Sequence, residues 1–397
     1  MDSRNRRDRM QRFADALQGG LVVLSGYKQM QLAGDMAAPF LQEGNMWWLT
    51  GIEEPGWKVI IDGTRKKMTL VQPHRTTAQK LFEGGMSVDD ARAISGADDV
   101  IDENDFEQTL RQLRRSHPLV YTVVDGREYG FVVNPAQQET KAVLDRVFET
   151  VTDCGDTLAA LRAIKTDDEI AYMKKAAKLT CTAFADVRAK FEAYRYEYEI
   201  EADFNASFRR HNARHAYDPI VASGSNAVTL HYGANNCKLP KRGLVLIDIG
   251  ARVGGYAADV TRTYGINPTN RQRQIHSLVE SAQKKIIQLI KPGVEVHDYL
   301  LQVDEIMKDT LESAGLLSDR SDEKAYRRYF PHAISHGLGV DVHDSLGKPK
   351  TLQPGMVITV EPGIYIEEEG IGVRIEDDIL VTAKSHINLT GSLSTSL

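Results

Sequence analysis

Two apolar strands in the second half of the chain each run into an acid: Gly243-Leu-Val-Leu-Ile-Asp248 and Gly355-Met-Val-Ile-Thr-Val-Glu361. A carboxylate at the end of a buried strand is costly unless something compensates it, so these runs constrain the fold more than any other feature. A second acid follows each, Asp259 in AADVTRTY and Glu376 in VRIEDD. Gly254-Gly255 is a hairpin signal. A two-residue turn there pairs 253 with 256 and 250 with 259. Alternate side chains share a face, so Asp248 and Asp259 become diagonal neighbours on one face. Glu361 and Glu376 are again an odd separation apart, with Glu367-Glu368-Glu369-Gly370 as the turn between them. Like charges this close repel, and one must protonate unless cations intervene; two divalent ions match four carboxylates. A single such acid is more simply a solvated strand end, but two hairpins each carrying an in-strand pair favour the cation reading.

A chain of 397 residues allows two or three domains. The first part shows a helical period at Met10, Phe13 and Leu17. Strand-like runs follow at 21–24, 57–62, 68–72 and 119–124, with helices near 91–94, 106–113 and 142–148. This alternation predicts a mixed or parallel sheet. Thr166 with Glu169 is a capping box that starts a helix, and the domain boundary is placed near it, giving an α/β domain over 1–157 and a second domain over 158–397. A further helix is expected over 197–211. A second capping box, Thr269 with Gln272, opens another to about 290, and 294–311 can form one more. Helices followed by hairpins, twice over, hint at an internal duplication. The fold class is α+β.

Composition excludes some functions. The net charge of −6 argues against nucleic-acid binding. Cys154, Cys181 and Cys237 are too few and too scattered for a disulfide framework and fit a reducing compartment. No apolar run approaches a membrane span, and the charged start shows no secretory signal. A soluble cytoplasmic protein, off the membrane, is expected.

Three of the eleven histidines fall in PHAISHGLGVDVHD: His332, His336 and His343. Histidine beside carboxylates favours Zn, Mn, Fe or Co over Ca or Mg. His231, in LHYGANN, lies upstream of the first strand; a lone histidine in such a loop is more often structural. Trp47, Trp48 and Trp57 cluster in the first part, as core or as a pocket or dimer wall.

The stretches SGSNAVTLHYGANN, LVLIDIG, YAADVTRTY, PHAISHGLGVDVHD, LQPGMVITVEPGIYI and GVRIEDDILV resemble the pita-bread metallopeptidases, in the branch of Xaa-Pro dipeptidases (prolidases) and Xaa-Pro aminopeptidases. EGNMWWLTGIEEPGWKVIID resembles the N-terminal domain of the same branch, so the resemblance spans nearly the whole chain. It implies a pita-bread catalytic domain behind a smaller α/β domain, and two divalent ions, Mn²⁺ first with Co²⁺ and Zn²⁺ as alternatives. Asp248, Asp259, His336, Glu361 and Glu376 would be the ligands, with Asp259 and Glu376 shared by both ions. Glu361 would also shuttle the proton, His231 and His343 would stabilise the tetrahedral intermediate, and His332 would line the proline pocket. Arg374 would meet the substrate's carboxylate or carbonyl, since its fork suits a carboxylate, whereas Tyr365 reads as packing.

The wording LHYGANN and GVRIEDD favours a dipeptidase acting on proline-containing dipeptides, with an Xaa-Pro aminopeptidase as the alternative and a homodimer as the assembly. The rivals are a non-catalytic binding protein on the same fold, which would lack ligands present here, and a metal-free creatinase-like hydrolase. The stretch departs from its relatives at Asp218-Pro219, where many carry small polar residues. Tyr217 is therefore left outside the expected site, and residues 74–150 are divergent.

Overall fold

The structure, a computed structural model, describes residues 2–124 and 134–397. It forms two compact units, Met1–Leu161 and Arg162–Leu397.

The first unit is built on a six-stranded sheet. Its strand order is Asp99–Asp102, Lys67–Gln72, Lys58–Asp62, Leu21–Ser25, Leu119–Thr122, Thr150–Asp153. Leu21–Ser25 is apolar on both faces because it is central and buried throughout. It pairs antiparallel with Lys58–Asp62 and parallel with Leu119–Thr122. The two outermost strands escape sequence reading because they are short, half-exposed edges with acids in them. So does the helix Gly44–Thr50, which is almost wholly buried and has no polar face to mark a period. All three tryptophans are core residues here, with Arg9 stacked over the Trp48 ring.

The second unit begins at Arg162. Thr166 and Glu169 cap each other reciprocally at the start of Asp167–Ala189. Thr269 and Gln272 do the same for Asn270–Leu289. Two more helices, Glu197–Arg210 and Val296–Ser313, complete two helix pairs. The first pair packs Phe184, Phe204 and Phe208 against Val245, Ile247 and Val260 of the first hairpin. The second pair packs Val279, Ile286, Val303 and Met307 with Ile358, Ile364, Val373 and Ile379 of the second. Each hairpin thus has its own helical backing. Among the described residues no helix is long and apolar enough to cross a membrane.

The hairpin registers follow the predicted parity. Val253 faces Tyr256, and the same register continues until Asp248 faces Thr261 and Gly243 faces Ile266. In the second hairpin, Gly363 faces Arg374 and Val360 faces Asp377, which sets Glu361 opposite Glu376. Gly370 closes its turn in the left-handed region at φ 61°.

Neither hairpin is one continuous ladder. The first passes from the sheet of Gly243–Asp248 and Thr261–Ile266 to that of Ala251–Val253 and Tyr256–Ala257. The second changes sheets between Val360 and Gly363, and between Arg374 and Asp377. Strands turn corners by such bends, and all four acids sit at or beside them. The corners also cross-link. The Glu376 amide donates to the Thr261 carbonyl at 3.0 Å. Below them the buried Arg262 donates to the Glu376 carbonyl at 2.6 Å and to Asp377 at 2.7 Å.

Gly250 makes the first corner possible. A Cβ there would lie 1.7 Å from the Ala258 carbonyl oxygen and 3.0 Å from the Tyr217 ring. Gly250→Ala is expected to cost about 2–3 kcal/mol or more, lowering the melting temperature by about 5–10 °C in thermal denaturation. An unchanged melting temperature would show that the corner relaxes freely.

Candidate metal centre

The two corners and the histidine segment meet at one cleft of about 730 Å³. Asp248, Asp259, His336, Glu361 and Glu376 all line it, as do His231, His332, His343 and Arg374. Asp259, His336 and Glu376 each offer a ligand atom, all within 4.8 Å of one another.

His336 arrives by an edge pairing that its own sequence does not announce. The segment through Ile334–Leu338 runs beside the strand Val357–Val360. The Thr359 amide donates to the His336 carbonyl, the Leu338 amide to Val357, and the Glu361 amide to Ile334. The ring is then fixed by Nδ1 donating to the Gly337 carbonyl at 2.9 Å. This leaves Nε2 3.5 Å from Asp259 Oδ2 and 3.3 Å from Glu361 Oε1. A backbone carbonyl on one ring nitrogen with the other aimed at carboxylates is the arrangement of a metal-ligating histidine.

Each acid is oriented by a neighbour. Tyr217 donates to Asp248 Oδ1 and Arg374 to Oδ2, both at 2.5 Å. Thr261 donates to Glu376 Oε2 at 2.6 Å, and Thr359 to Glu361 Oε1 at 3.1 Å. The Asp259 amide lies 3.3 Å from both oxygens of the buried Asp378. A carboxylate oxygen has two lone pairs, so each acid keeps acceptor capacity toward the cleft.

The electrostatics are strained. Burial pushes the Glu361 carboxyl up to about 7; Asp259 and Asp248 add to this while His336 and Arg374 oppose it. Burial, then the fields of Asp259, Glu361 and Asp248, drives Glu376 far above the carboxylate range. Asp248 is raised by burial and by Asp259, against the pull of Arg374. For His336, burial opposes charge, but its bond to Asp259 and the field of Glu361 hold it up to about 9. The cleft therefore retains protons on the atoms that a cation would need.

The other expected residues divide. His332 is largely buried, with Nε2 2.9 Å from the Tyr365 hydroxyl, and burial lowers it to about 4. The His343 ring packs edge-on against His336 with centroids 4.4 Å apart. His231 is exposed at the rim. Its loop is held from behind by Glu197, which is fully buried. One oxygen of Glu197 accepts from the Ser223 amide and hydroxyl and from Asn226; the other accepts from Tyr232 and the Cys237 amide. Asn235 adds bonds to Val221, Pro219 and Glu201.

Arg374 lines the cleft, as strand parity requires, and each nitrogen of its guanidinium has a partner within the protein. Nε donates to Thr261 at 3.1 Å, Nη1 to Tyr365 at 2.8 Å and Nη2 to Asp248. Its geometry serves Asp248. Sequence reasoning left out Tyr217, Thr261 and Thr359. The two threonines lie two residues from Asp259 and Glu361 on the same strands, so parity would have found them; Tyr217 has no comparable local signal.

Metal loading of this cleft is expected to release protons. Glu361 has a folded value above its unfolded one, so in the metal-free protein its contribution to stability is lost as pH rises through about 7. That of His336 is lost through about 9. A divalent cation reverses both losses. The gain in melting temperature on adding Mn²⁺ should therefore grow between about pH 5.5 and pH 8, with proton release visible by calorimetry in buffers of different ionisation enthalpy. A gain independent of pH would mean that these groups are not ligands.

Residues 171–383 match metallopeptidase family M24, and residues 5–121 match the aminopeptidase P N-terminal domain. The chain is 32% identical to an Escherichia coli Xaa-Pro aminopeptidase over 94% of its own length and 91% of that protein's. It is 32% identical to mouse Xaa-Pro aminopeptidase 3, over 93% and 78%. Zinc-substituted E. coli aminopeptidase P in complex with product superimposes with a TM-score of 0.88 at 30% identity, covering 100% of this chain and 96% of that one. These findings overturn the dipeptidase expectation: the N-terminal match and the full-length relatives point to the aminopeptidase alternative. The motifs that suggested a dipeptidase lie in the catalytic domain, whereas the discriminating match lies in the other unit. The chain belongs to metallopeptidase family M24, in its Xaa-Pro peptidase branch.

Proposed function

We propose that the protein is a metal-dependent Xaa-Pro aminopeptidase, removing the first residue of peptides whose second residue is proline. The observation that carries this reading is the convergence of five ligand-type side chains in one cleft, in a chain whose N-terminal unit matches the aminopeptidase P N-terminal domain. Asp248, Asp259, His336, Glu361 and Glu376 would hold two divalent ions, Asp259 and Glu376 serving both. The donor set fits: oriented carboxylates, a histidine whose Nε2 faces Asp259 and Glu361, and an excess of buried negative charge that cations relieve. Mixed oxygen and imidazole ligands suit Mn²⁺, with Co²⁺ and Zn²⁺ as alternatives. When bound, the ions supply Lewis acidity that makes water a usable nucleophile near neutral pH and polarises the scissile carbonyl.

The chain's own residues do the rest. Thr359 holds Glu361 by Oε1, leaving Oε2 to take a proton from the attacking water and deliver it to the prolyl nitrogen. The prolyl nitrogen, like any amide nitrogen, must gain a proton to leave; because an Xaa-Pro bond is a tertiary amide without N–H, the site needs no acceptor for an amide proton. His231 and His343, at the rim, would donate to the carbonyl oxygen as charge develops. His332 and Tyr365, bonded to each other, form a wall for the proline ring. Three free cysteines fit a reducing, cytoplasmic setting.

Two measurements test this. With Mn²⁺ present, Ala-Pro-Ala should release alanine with a higher kcat/KM than Ala-Pro. A clear preference for the dipeptide, or no cleavage of either, would end the aminopeptidase reading. Glu361→Gln should lower kcat by roughly 10²–10⁴-fold while retaining part of the bound metal; a loss below about tenfold would remove the shuttle role.

A further inference from the structure

One carboxylate on the cleft wall takes no part in the metal centre. Asp218 lines the cleft, is exposed, and makes no hydrogen bond or ion pair with any described residue. Its field reaches His215, whose pKa burial lowers against the pull of Glu201 and Asp218. The backbone around it is nonetheless fixed. On one side the Ala216 amide donates to the Gly250 carbonyl at 2.8 Å, and Tyr217 bonds Asp248. On the other, the Pro219 carbonyl accepts from the buried Asn235 at 2.8 Å. Pro219 also restricts Asp218 itself to extended backbone. An unpaired negative charge is thus presented at a set place, one residue from the tyrosine that touches the centre.

We propose that Asp218 is a specificity-determining residue that favours peptides whose first residue carries a cationic side chain, such as Arg-Pro or Lys-Pro sequences. A chain of hydrogen bonds leads from His332 through Tyr365, Arg374 and Asp248 to Tyr217, and Asp218 follows Tyr217 on the cleft lining. With the proline ring against His332, the residue before it lies toward Tyr217 and Asp218. A guanidinium or ammonium there meets an acid with no competing internal partner. Metal-ligating acids cannot play this part, since their charge is already committed. The inference rests on the Xaa-Pro aminopeptidase reading.

The test compares kcat/KM for Arg-Pro-Ala, Ala-Pro-Ala and Glu-Pro-Ala on Mn²⁺-loaded wild type, Asp218→Asn and Asp218→Lys, with metal content and melting temperature recorded for each. Wild type should rank Arg above Ala above Glu. The Arg-to-Ala ratio should fall roughly three- to tenfold in Asp218→Asn, the size expected of one partly screened charge pair in a cleft. Asp218→Lys should invert the order in favour of Glu-Pro-Ala, and added salt should compress the wild-type preference. Equal losses on all three peptides in Asp218→Asn would overturn the inference, because Asp218 would then sense the shared N-terminal ammonium or support Tyr217. Cleavage of all three by wild type without a charge preference would likewise overturn it and leave the aminopeptidase reading intact. Cleavage of none would sink that reading, and the inference with it.

Discussion

Four acids forced into one buried volume govern this structure. Asp248, Asp259 and Glu376 are nearly inaccessible and Glu361 largely so, and their charges cannot coexist there without protons or cations. Much of the surrounding sequence manages that conflict. Arg374 lends its charge to Asp248, the tyrosine and threonine hydroxyls each hold a particular oxygen, and His336 lies between Asp259 and Glu361. A buried network of this kind is stable only when every member is satisfied, which is why the cleft is pre-set for positive charge.

The conflict is maintained by backbone geometry. Each hairpin changes sheets at its acids, so side chains that a flat ladder would spread along a face are turned toward one point. Gly250 permits the approach at the first corner, and Arg262 ties the two hairpins beneath the cleft. The two helix pairs hold the outer faces by ordinary apolar packing. The division of labour is physical: burial by helices outside, polar satisfaction at the corners, charge inside.

The rim is organised differently. His231 and Asp218 are exposed and have no direct hold on the centre, yet both stand on backbone pinned by polar residues, the buried Glu197 and Asn235 for the first and Asn235 with Tyr217 for the second. Loops placed by a rigid scaffold are where binding residues concentrate. On the proposed function, metal chemistry belongs to the floor of the cleft and choice among peptides to these anchored walls.

The sequence alone determined what is local. Capping boxes at Thr166 and Thr269 set two helix starts, because their donors and acceptors lie three residues apart. Gly254-Gly255 set the register that puts Asp248 and Asp259 on one face, because strand parity is conserved along a ladder. The family was legible from motifs for the same reason. Only the tertiary structure decided what depends on distant partners. It paired the His336 segment with the edge of Val357–Val360, brought Tyr217 to Asp248, and bonded Arg374 to Asp248. Side chains more than a hundred residues apart, such as Asp248 and Arg374, have no spacing rule to betray their contact; only the packing of two hairpins against each other creates it.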